Sequence, residues 1–405
     1  MEQRMTNKIL SIAFYNVLIF FTLLGTIELA TRTISWVSAN GFTLSLHELD
    51  PYDRKIKDIY QWHPFTGFTF AESTTFVGSH PNQDSKAIIK TDKYGFLTNG
   101  QELEYNKIPN EIRIATIGGS TTANINLQFD KNWPGHIGGS LQKNFPNKHF
   151  RVINAGVPGF DTSQSIANLA LRVMPFKPDI VIIYHAYNDL KAIQKNIAFR
   201  PDYSHIHTQP YGFHKEPNFI FKMLNKSMFY VRMRNKTREA NRNISELEGL
   251  NDSMATTNRI SSIPEFAEHT FEQHIRILIN IARAGGSKVI LSTFATLLDP
   301  KLDYTKPETI HSLSDFQKQS LGSLLHFTPG LTLEGIFDGI SLYNDVIRNI
   351  AAEEKCVLVD NAIDLPHTEQ YFVDRVHLSE AGAEFMANNI YSAVVKILSD
   401  SQLLQ

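Results

Sequence analysis

From residue 108 onward, continuous apolar runs alternate with helical patterns, and this alternation constrains the fold more than any other feature of the chain. The runs are Ile112–Ile117, Arg151–Ala155, Asp179–Tyr184, Lys288–Phe294 and Cys356–Asp360. Between them, helices are expected at Trp133–Asn144, Thr162–Met174, Pro264–Ala284 and about Ser341–Glu354, with a last amphipathic helix at about Glu380–Leu398. Strands buried on both faces read as unbroken apolar runs, the pattern of a parallel sheet covered by helices. Pro264 and Glu265 mark a first helical turn, and Gly285-Gly286 mark its end. The alternation therefore predicts a doubly wound α/β sheet, whose ligands gather beyond the carboxyl ends of the strands.

The chain has 405 residues, 42% hydrophobic and 20% charged, so it holds enough apolar matter for one large domain or two ordinary ones. Net charge is −2 with no concentrated basic stripe, which gives a nucleic-acid partner no electrostatic support. The single Cys356 cannot form an intramolecular disulfide, and its apolar surroundings predict a buried core thiol.

Ile9–Ile27 carries no charge over 19 residues, preceded by Arg4 and Lys8 and followed by Glu28 and Arg32. As a helix it would span roughly 28 Å, close to the hydrocarbon thickness of a bilayer. Glu28-Leu-Ala-Thr-Arg is a weak cleavage site, so the stretch is read as an uncleaved signal anchor over residues 1–31, ahead of a cleaved signal. Arg4 and Lys8 favour a cytoplasmic N-terminus, with the body of the protein extracytoplasmic, in the periplasm or at the cell surface.

Residues 32–107 are rich in aromatics and turns. His63-Pro-Phe-Thr-Gly-Phe-Thr-Phe and Tyr94-Gly-Phe-Leu read as short strands of a small β-rich collar, with His63 in a structural role. The main domain is expected over 108–400. Residues 191–262 interrupt its rhythm with Pro201, Pro210, Pro217 and a basic helical patch from Phe221 to Arg242, and read as an insertion that caps the pocket. Four Asn-x-Ser/Thr triplets there, at Asn225, Asn235, Asn243 and Asn251, are what an asparagine- and serine-rich loop generates by chance. His205-x-His207 lacks the further ligands of a metal site and reads as a pair of surface histidines. No metal and no cofactor is expected.

Ser120 follows the first apolar strand through Gly118-Gly119, so a sharp turn exposes its oxygen and its amide. Ser140, although it follows Gly138-Gly139, lies inside a helical pattern. Position 122 is Thr, which disfavours the Gly-x-Ser-x-Gly elbow. Asp374-Arg-Val-His377 supplies an imidazole with a carboxylate three positions before it. A serine needs a neighbouring base to become a nucleophile at neutral pH, and a carboxylate fixes the tautomer of that base. The next two strands end in Asn154-Ala-Gly156 and Ala186-Tyr-Asn188-Asp189. A glycine amide and an asparagine side chain, beside the serine's own amide, could serve an oxyanion. A serine hydrolase or acyltransferase follows.

These blocks, in this order, resemble the SGNH, or GDSL-type, hydrolase superfamily over roughly residues 110–397, in the form found in membrane-anchored bacterial envelope members. The matching pieces are Gly118-Gly119-Ser120-Thr121, Asn154-Ala-Gly156, Ala186-Tyr-Asn188-Asp189 and Asp374-Arg-Val-His377, followed by Leu378-Ser-Glu-Ala-Gly382. The resemblance implies a three-layer α/β/α, flavodoxin-like fold with about five parallel strands. It implies Ser120 as nucleophile, His377 as general base and Asp374 as its orienting partner. The oxyanion hole would be the Ser120 and Gly156 amides and the Asn188 side chain. Gly119 and Ala186 depart from the family pattern without removing a reacting group. His185 reads either as a pocket residue or as a core histidine, and Asp189 as a support for the turn holding Asn188.

The family acts on many acyl esters, so the fold leaves the substrate open. The anchor makes removal of O-acetyl or short acyl groups from envelope carbohydrate the first reading. A lipid-directed esterase or thioesterase, a polysaccharide O-acyltransferase and a non-catalytic carbohydrate-binding module are the alternatives. The sequence leaves the oligomeric state open.

Overall fold

The structure, a computed structural model, describes residues 2–39, 59–78, 80, 82–83, 86–194, 197–207, 223–224, 226–234, 236–237 and 259–404. The chain divides into two compact units, residues 1–57 with 215–244 and residues 58–214 with 245–405. The four triplet asparagines lie outside the described residues.

In the first unit a single helix runs over Glu2–Ala39. Its segment Leu10–Ile34 is 25 residues long with a mean hydropathy of 2.0, long and apolar enough to cross a membrane. Near its end the Glu28 carboxylate accepts hydrogen bonds from Ser227 Oγ (2.8 Å) and from the Met228 and Phe229 amides (2.8 and 3.1 Å). These are the first amides of a helical stretch at 228–234, which a carboxylate satisfies well. Arg32 binds Glu28 at 2.7 Å and the Lys226 carbonyl at 2.9 Å.

In the second unit the strands are β1 (Tyr60–His63), β2 (Gly67–Phe70), β3 (Thr75–Gly78), β4 (Ala87–Thr91), β5 (Leu97–Thr98), β6 (Glu111–Gly118), β7 (His149–Asn154), β8 (Ile180–Tyr184), β9 (Lys288–Ser292) and β10 (Val357–Val359). Among the described residues, β1 and β2 form a separate hairpin, and eight strands form one sheet in the order β10-β9-β8-β6-β7-β5-β4-β3. The five strands β6 to β10 are parallel. Numbered among themselves they run 2-1-3-4-5, the flavodoxin-like order. The order reverses beside β6, between its partners β7 and β8. The carboxyl ends are level there, with Gly118 opposite Tyr184 and Thr116 opposite Asn154.

Beside the five parallel strands expected, the sheet gains three antiparallel ones from residues 32–107. β5 pairs antiparallel with β7 through Leu97 and Asn154, and β4 and β3 follow. The burial patterns explain the difference. β8 is buried at every position, whereas Ala87, Ile89 and Thr91 of β4 are buried and Ile88 and Lys90 are exposed. One-sided strands suit an antiparallel extension, and they cover the backbone edge that β7 would otherwise expose.

Helices Trp133–Asn144 and Glu380–Asp400 pack together in one layer, and Thr162–Asn168, Glu265–Ala284 and Leu333–Glu353 pack in another, giving the three-layer α/β/α arrangement. The helix expected over Thr162–Met174 widens into a π turn at Leu169–Val173 and then tightens into a 3-10 turn at Met174–Phe176, which contains Pro175. The helix expected from Ser341 begins earlier, at Leu333, where Thr332 caps it. Helix Asp315–Phe327, not anticipated from the pattern, is announced by a Ser314–Gln317 capping box. Cys356 is half-buried rather than a core thiol, and Arg283 Nη2 donates to its sulfur at 3.3 Å.

Arg113 sits 1% exposed in the central strand β6. Its guanidinium is spent on Glu111 (2.9 Å) and on the Phe176 carbonyl (2.7 Å). Breaking such a buried pair by removing one partner costs roughly 3–5 kcal/mol, so its role here is to tie β6 to the segment leading into β8.

Candidate active site

Ser120 opens a short helix, Ser120–Ala123, directly at the end of β6. Two contacts hold this turn from behind. Trp133, fully buried, donates Nε1–H to the Thr121 carbonyl at 3.0 Å. Asn154 Nδ2 donates to the Thr122 carbonyl at 3.2 Å. The turn ends at Asn124, whose φ of +46° is a left-handed conformation that asparagine tolerates well.

The turn Val373–Leu378 meets it from the other end of the chain. Val373 N–H donates to the His377 carbonyl at 2.9 Å, closing the loop. Asp374 Oδ1 accepts from the amides of Val376 (2.9 Å) and His377 (2.7 Å), so the loop shape itself orients the carboxylate. Asp374 Oδ2 lies 2.7 Å from His377 Nδ1, and His377 Nε2 lies 2.8 Å from Ser120 Oγ. Burial pulls the Asp374 carboxyl upward, but His377, His80 and Arg375 outweigh it and hold the group well below the usual carboxylate range. An ionised Asp374 accepts from Nδ1–H and leaves Nε2 with a lone pair toward the serine hydroxyl.

Asn188 follows β8 and is half-buried. Its Nδ2 donates one hydrogen to the Phe160 carbonyl at 2.8 Å, which fixes the amide plane. Gly119 lies against this amide: a Cβ there would be 2.6 Å from Asn188 Nδ2. Gly156 is buried, and a Cβ there would be 2.4 Å from the Ala123 nitrogen, so glycine lets the β7 loop close on the serine helix. The Gly156 amide donates to Asn154 Oδ1 at 3.1 Å.

Sequence reasoning missed His80. Its Nε2 lies 3.0 Å from Asp374 Oδ2, across 294 positions of sequence. Neither helical nor strand periodicity marks the loop that carries it. His80, Asp374 and His377 offer three ligand atoms within 4.8 Å of one another. The hydrogen bonds among them account for that closeness, and a cation bound there would have to displace the imidazole protons those bonds use.

A second serine–histidine–aspartate grouping lies nearby and differs in kind. His185 Nε2 is 2.8 Å from Ser165 Oγ, and its Nδ1 is 3.9 Å from Asp189 Oδ2. All three are sealed in the core, at 0 to 2% exposure. Burial pushes the His185 imidazole down to about 4 and the Asp189 carboxyl up to about 8. Burial thus favours the neutral form of each, away from solvent. His185 is thus a hydrogen-bonded core histidine, and Asp189 accepts from the Thr162 amide at 3.1 Å. The expectation of a surface histidine is corrected at 205, whereas the His207 side chain remains 33% exposed. His205 is buried with Nε2 2.8 Å from the Ala192 carbonyl, and His207 pairs with Asp161 at 2.8 Å. Buried backbone and carboxylate groups need such partners.

A groove of about 820 Å³ includes Asn188 in its wall. Trp62, Phe65, Gln164, Asp161 and His207 also line it. The Trp62 and Phe65 side chains are exposed.

The sequence profile of the GDSL-like lipase/acylhydrolase family matches residues 116–385. Similar solved structures include a GDSL-like lipase from Bacteroides thetaiotaomicron, at 15% identity over 72% of this chain and 92% of that one, with a TM-score of 0.38. Another is an acetylxylan esterase from Geobacillus stearothermophilus, at 16% identity over 69% of this chain and 93% of that one, with a TM-score of 0.38. No curated protein matches the sequence.

Proposed function

The chain belongs to the GDSL-like lipase/acylhydrolase family and is an ester-hydrolysing enzyme, and from that premise we propose that it works through an acyl-enzyme on Ser120. The observation that carries this reading is the continuous relay from Ser120 Oγ through His377 to Asp374, at 2.8 and 2.7 Å. His377 Nε2 takes the hydroxyl proton as Ser120 Oγ bonds to the ester carbonyl carbon. The carbonyl oxygen becomes an oxyanion, received by the Ser120 amide and the second hydrogen of Asn188 Nδ2. The Gly156 amide completes the set by sharing its hydrogen between Asn154 Oδ1 and the oxyanion. Collapse breaks the bond to the leaving alcohol, which takes the proton from His377. Water then repeats the sequence, releasing the acid and restoring the serine.

The proposed substrate is an O-acetylated or short-acylated carbohydrate of the envelope or cell exterior. The groove beside Asn188 supports this class, because aromatic faces at Trp62 and Phe65 stand beside hydrogen-bonding groups of Gln164 and His207. The helix with the apolar segment Leu10–Ile34 is proposed as the membrane anchor, with the enzyme extracytoplasmic. That same anchor favours a second reading, a lipid-directed esterase held beside its substrate.

Ser120→Ala is expected to remove hydrolysis of short p-nitrophenyl esters by several orders of magnitude, a barrier change above about 4 kcal/mol. Ser140→Ala should leave it near wild type. Full activity in the Ser120 variant overturns the mechanism. A preference for palmitoyl over acetyl esters replaces the carbohydrate reading by the lipid one. Release of the protein by carbonate, with a mature N-terminus near residue 31, replaces the anchor by a cleaved signal.

A further inference from the structure

Asp374 Oδ2 faces two imidazoles, and the second is unexplained by the relay. His377 Nδ1 approaches it at 2.7 Å and His80 Nε2 at 3.0 Å. The tautomer of His80 follows from its other side. The Asn82 amide donates to His80 Nδ1 at 3.2 Å, and an amide can only donate, so Nδ1 presents a lone pair. The ring hydrogen of the neutral imidazole is then on Nε2, directed at the carboxylate.

The loop holding His80 is itself stitched to both ends of the 373–378 turn. Asn82 Nδ2 donates to the Val373 carbonyl at 2.9 Å. Asn126 Nδ2 donates to Gln83 Oε1 at 3.1 Å and to the Leu378 carbonyl at 3.0 Å. The His80 side chain is only 16% exposed, so water competes little for its hydrogen.

We propose that His80 is a positioning residue for the reaction, a second imidazole that holds Asp374 in the plane His377 needs. This inference rests on the Ser120–His377–Asp374 reading. Oδ1 is taken by two backbone amides, and Oδ2 by two imidazoles with Arg375 Nη1 farther off at 3.5 Å, so both carboxylate oxygens are held from at least two sides. When His377 becomes an imidazolium, Asp374 remains aligned beneath it. Around metal sites, partners that orient a ligating histidine typically matter by about 10- to 100-fold, and a loss of the same order is expected here.

The test compares His80→Gln, His80→Phe and His80→Asn in the full-length protein, measuring kcat, KM and melting temperature on each. The glutamine amide reaches the position of Nε2 and should keep most of the turnover. Phenylalanine fills the space without a donor and should lose roughly 10- to 100-fold in kcat with KM little changed. If the Phe variant does not fold, the Asn variant, whose amide stops short, stands in for it. Wild-type kcat in a folded Phe or Asn variant overturns the proposal. So does an equal loss in the Gln and Phe variants, which would mean that a donor at this position does not restore turnover. Ser120→Ala assayed in parallel separates the two levels: if it retains activity, the relay reading has failed rather than the role of His80.

Discussion

Gly119 and Asn188 occupy each other's space: a Cβ on residue 119 would lie 2.6 Å from Asn188 Nδ2 and 3.0 Å from the Phe160 carbonyl that Asn188 binds. The resemblance leads one to expect aspartate at position 119. In this chain the side chain is absent where the asparagine amide comes closest, so the backbone just before Ser120 and the proposed oxyanion donor are packed as one unit.

Gly119→Ala should therefore act through Asn188. The added methyl pushes the amide off its hydrogen bond with Phe160, and a displacement of about 1 Å can cost on the order of 100-fold in rate. We expect kcat to fall roughly 10- to 100-fold. The double variant with Asn188→Ala should lose little more than Asn188→Ala alone, as for two changes to one interaction. Additive losses in the double variant would separate the two residues.

Asn188→Ala alone is expected to lower kcat by about 10² to 10³, with kcat/KM falling in parallel, as for loss of one oxyanion donor. The competing role, support of its own turn through the Phe160 bond, predicts a lower melting temperature with turnover per folded molecule preserved. Kinetics and melting on one purified variant distinguish them.

The parallel strands were legible because burial on both faces leaves short apolar runs bounded by turn residues, and most helices because longer amphipathic patterns lie between them. Ser120, Asp374 and His377 were legible because local spacing carries their chemistry: a strand end for one, a three-residue turn for the others. His80 was not, since its only qualification is tertiary proximity to Asp374 through an irregular loop. The edge strands Thr75–Gly78 and Ala87–Thr91 were missed as sheet members because four- or five-residue alternation says which face is wet but not which strand is the neighbour. The core pairing of His185 with Ser165 shows the opposite limit. The same three residue types become a structural network when buried, and what separates them from the Ser120 relay is burial and a histidine–carboxylate distance of 3.9 Å instead of 2.7 Å.

Asp374→Asn should leave the fold intact and cut kcat by roughly 10³ to 10⁴, because an amide does not fix the imidazole tautomer that an ionised carboxylate fixes. Its stability effect has a definite pH window. The native carboxyl is depressed below its unfolded value of about 3.9. Its contribution is therefore present above about pH 4 and lost as pH falls through the native value. The melting-temperature gap between wild type and variant should be open at pH 7 and narrow by pH 3. A gap that stays constant would mean the pairing contributes no linked stability.

Asp189 gives the opposite sign. Burial first, and then the neighbouring Asp161 carboxylate, push its carboxyl up to about 8. Among the described residues, its Oδ2 has no hydrogen-bond partner. A native pKa above the unfolded value of about 3.9 means that the folded protein holds the proton more tightly. The stability from this group is complete below about pH 4 and is lost progressively as pH rises toward 8. An Asp189→Asn variant would copy the protonated form, and the Thr162 amide could still donate to the side-chain carbonyl oxygen as it does to Asp189 Oδ1. Wild type and variant should therefore differ least near pH 5, and the variant should gain in relative melting temperature up to about pH 8.5. Titrating both proteins by thermal melting across that range checks the sign. A difference independent of pH, or one that shrinks as pH rises, would mean that Asp189 is ionised in the folded protein.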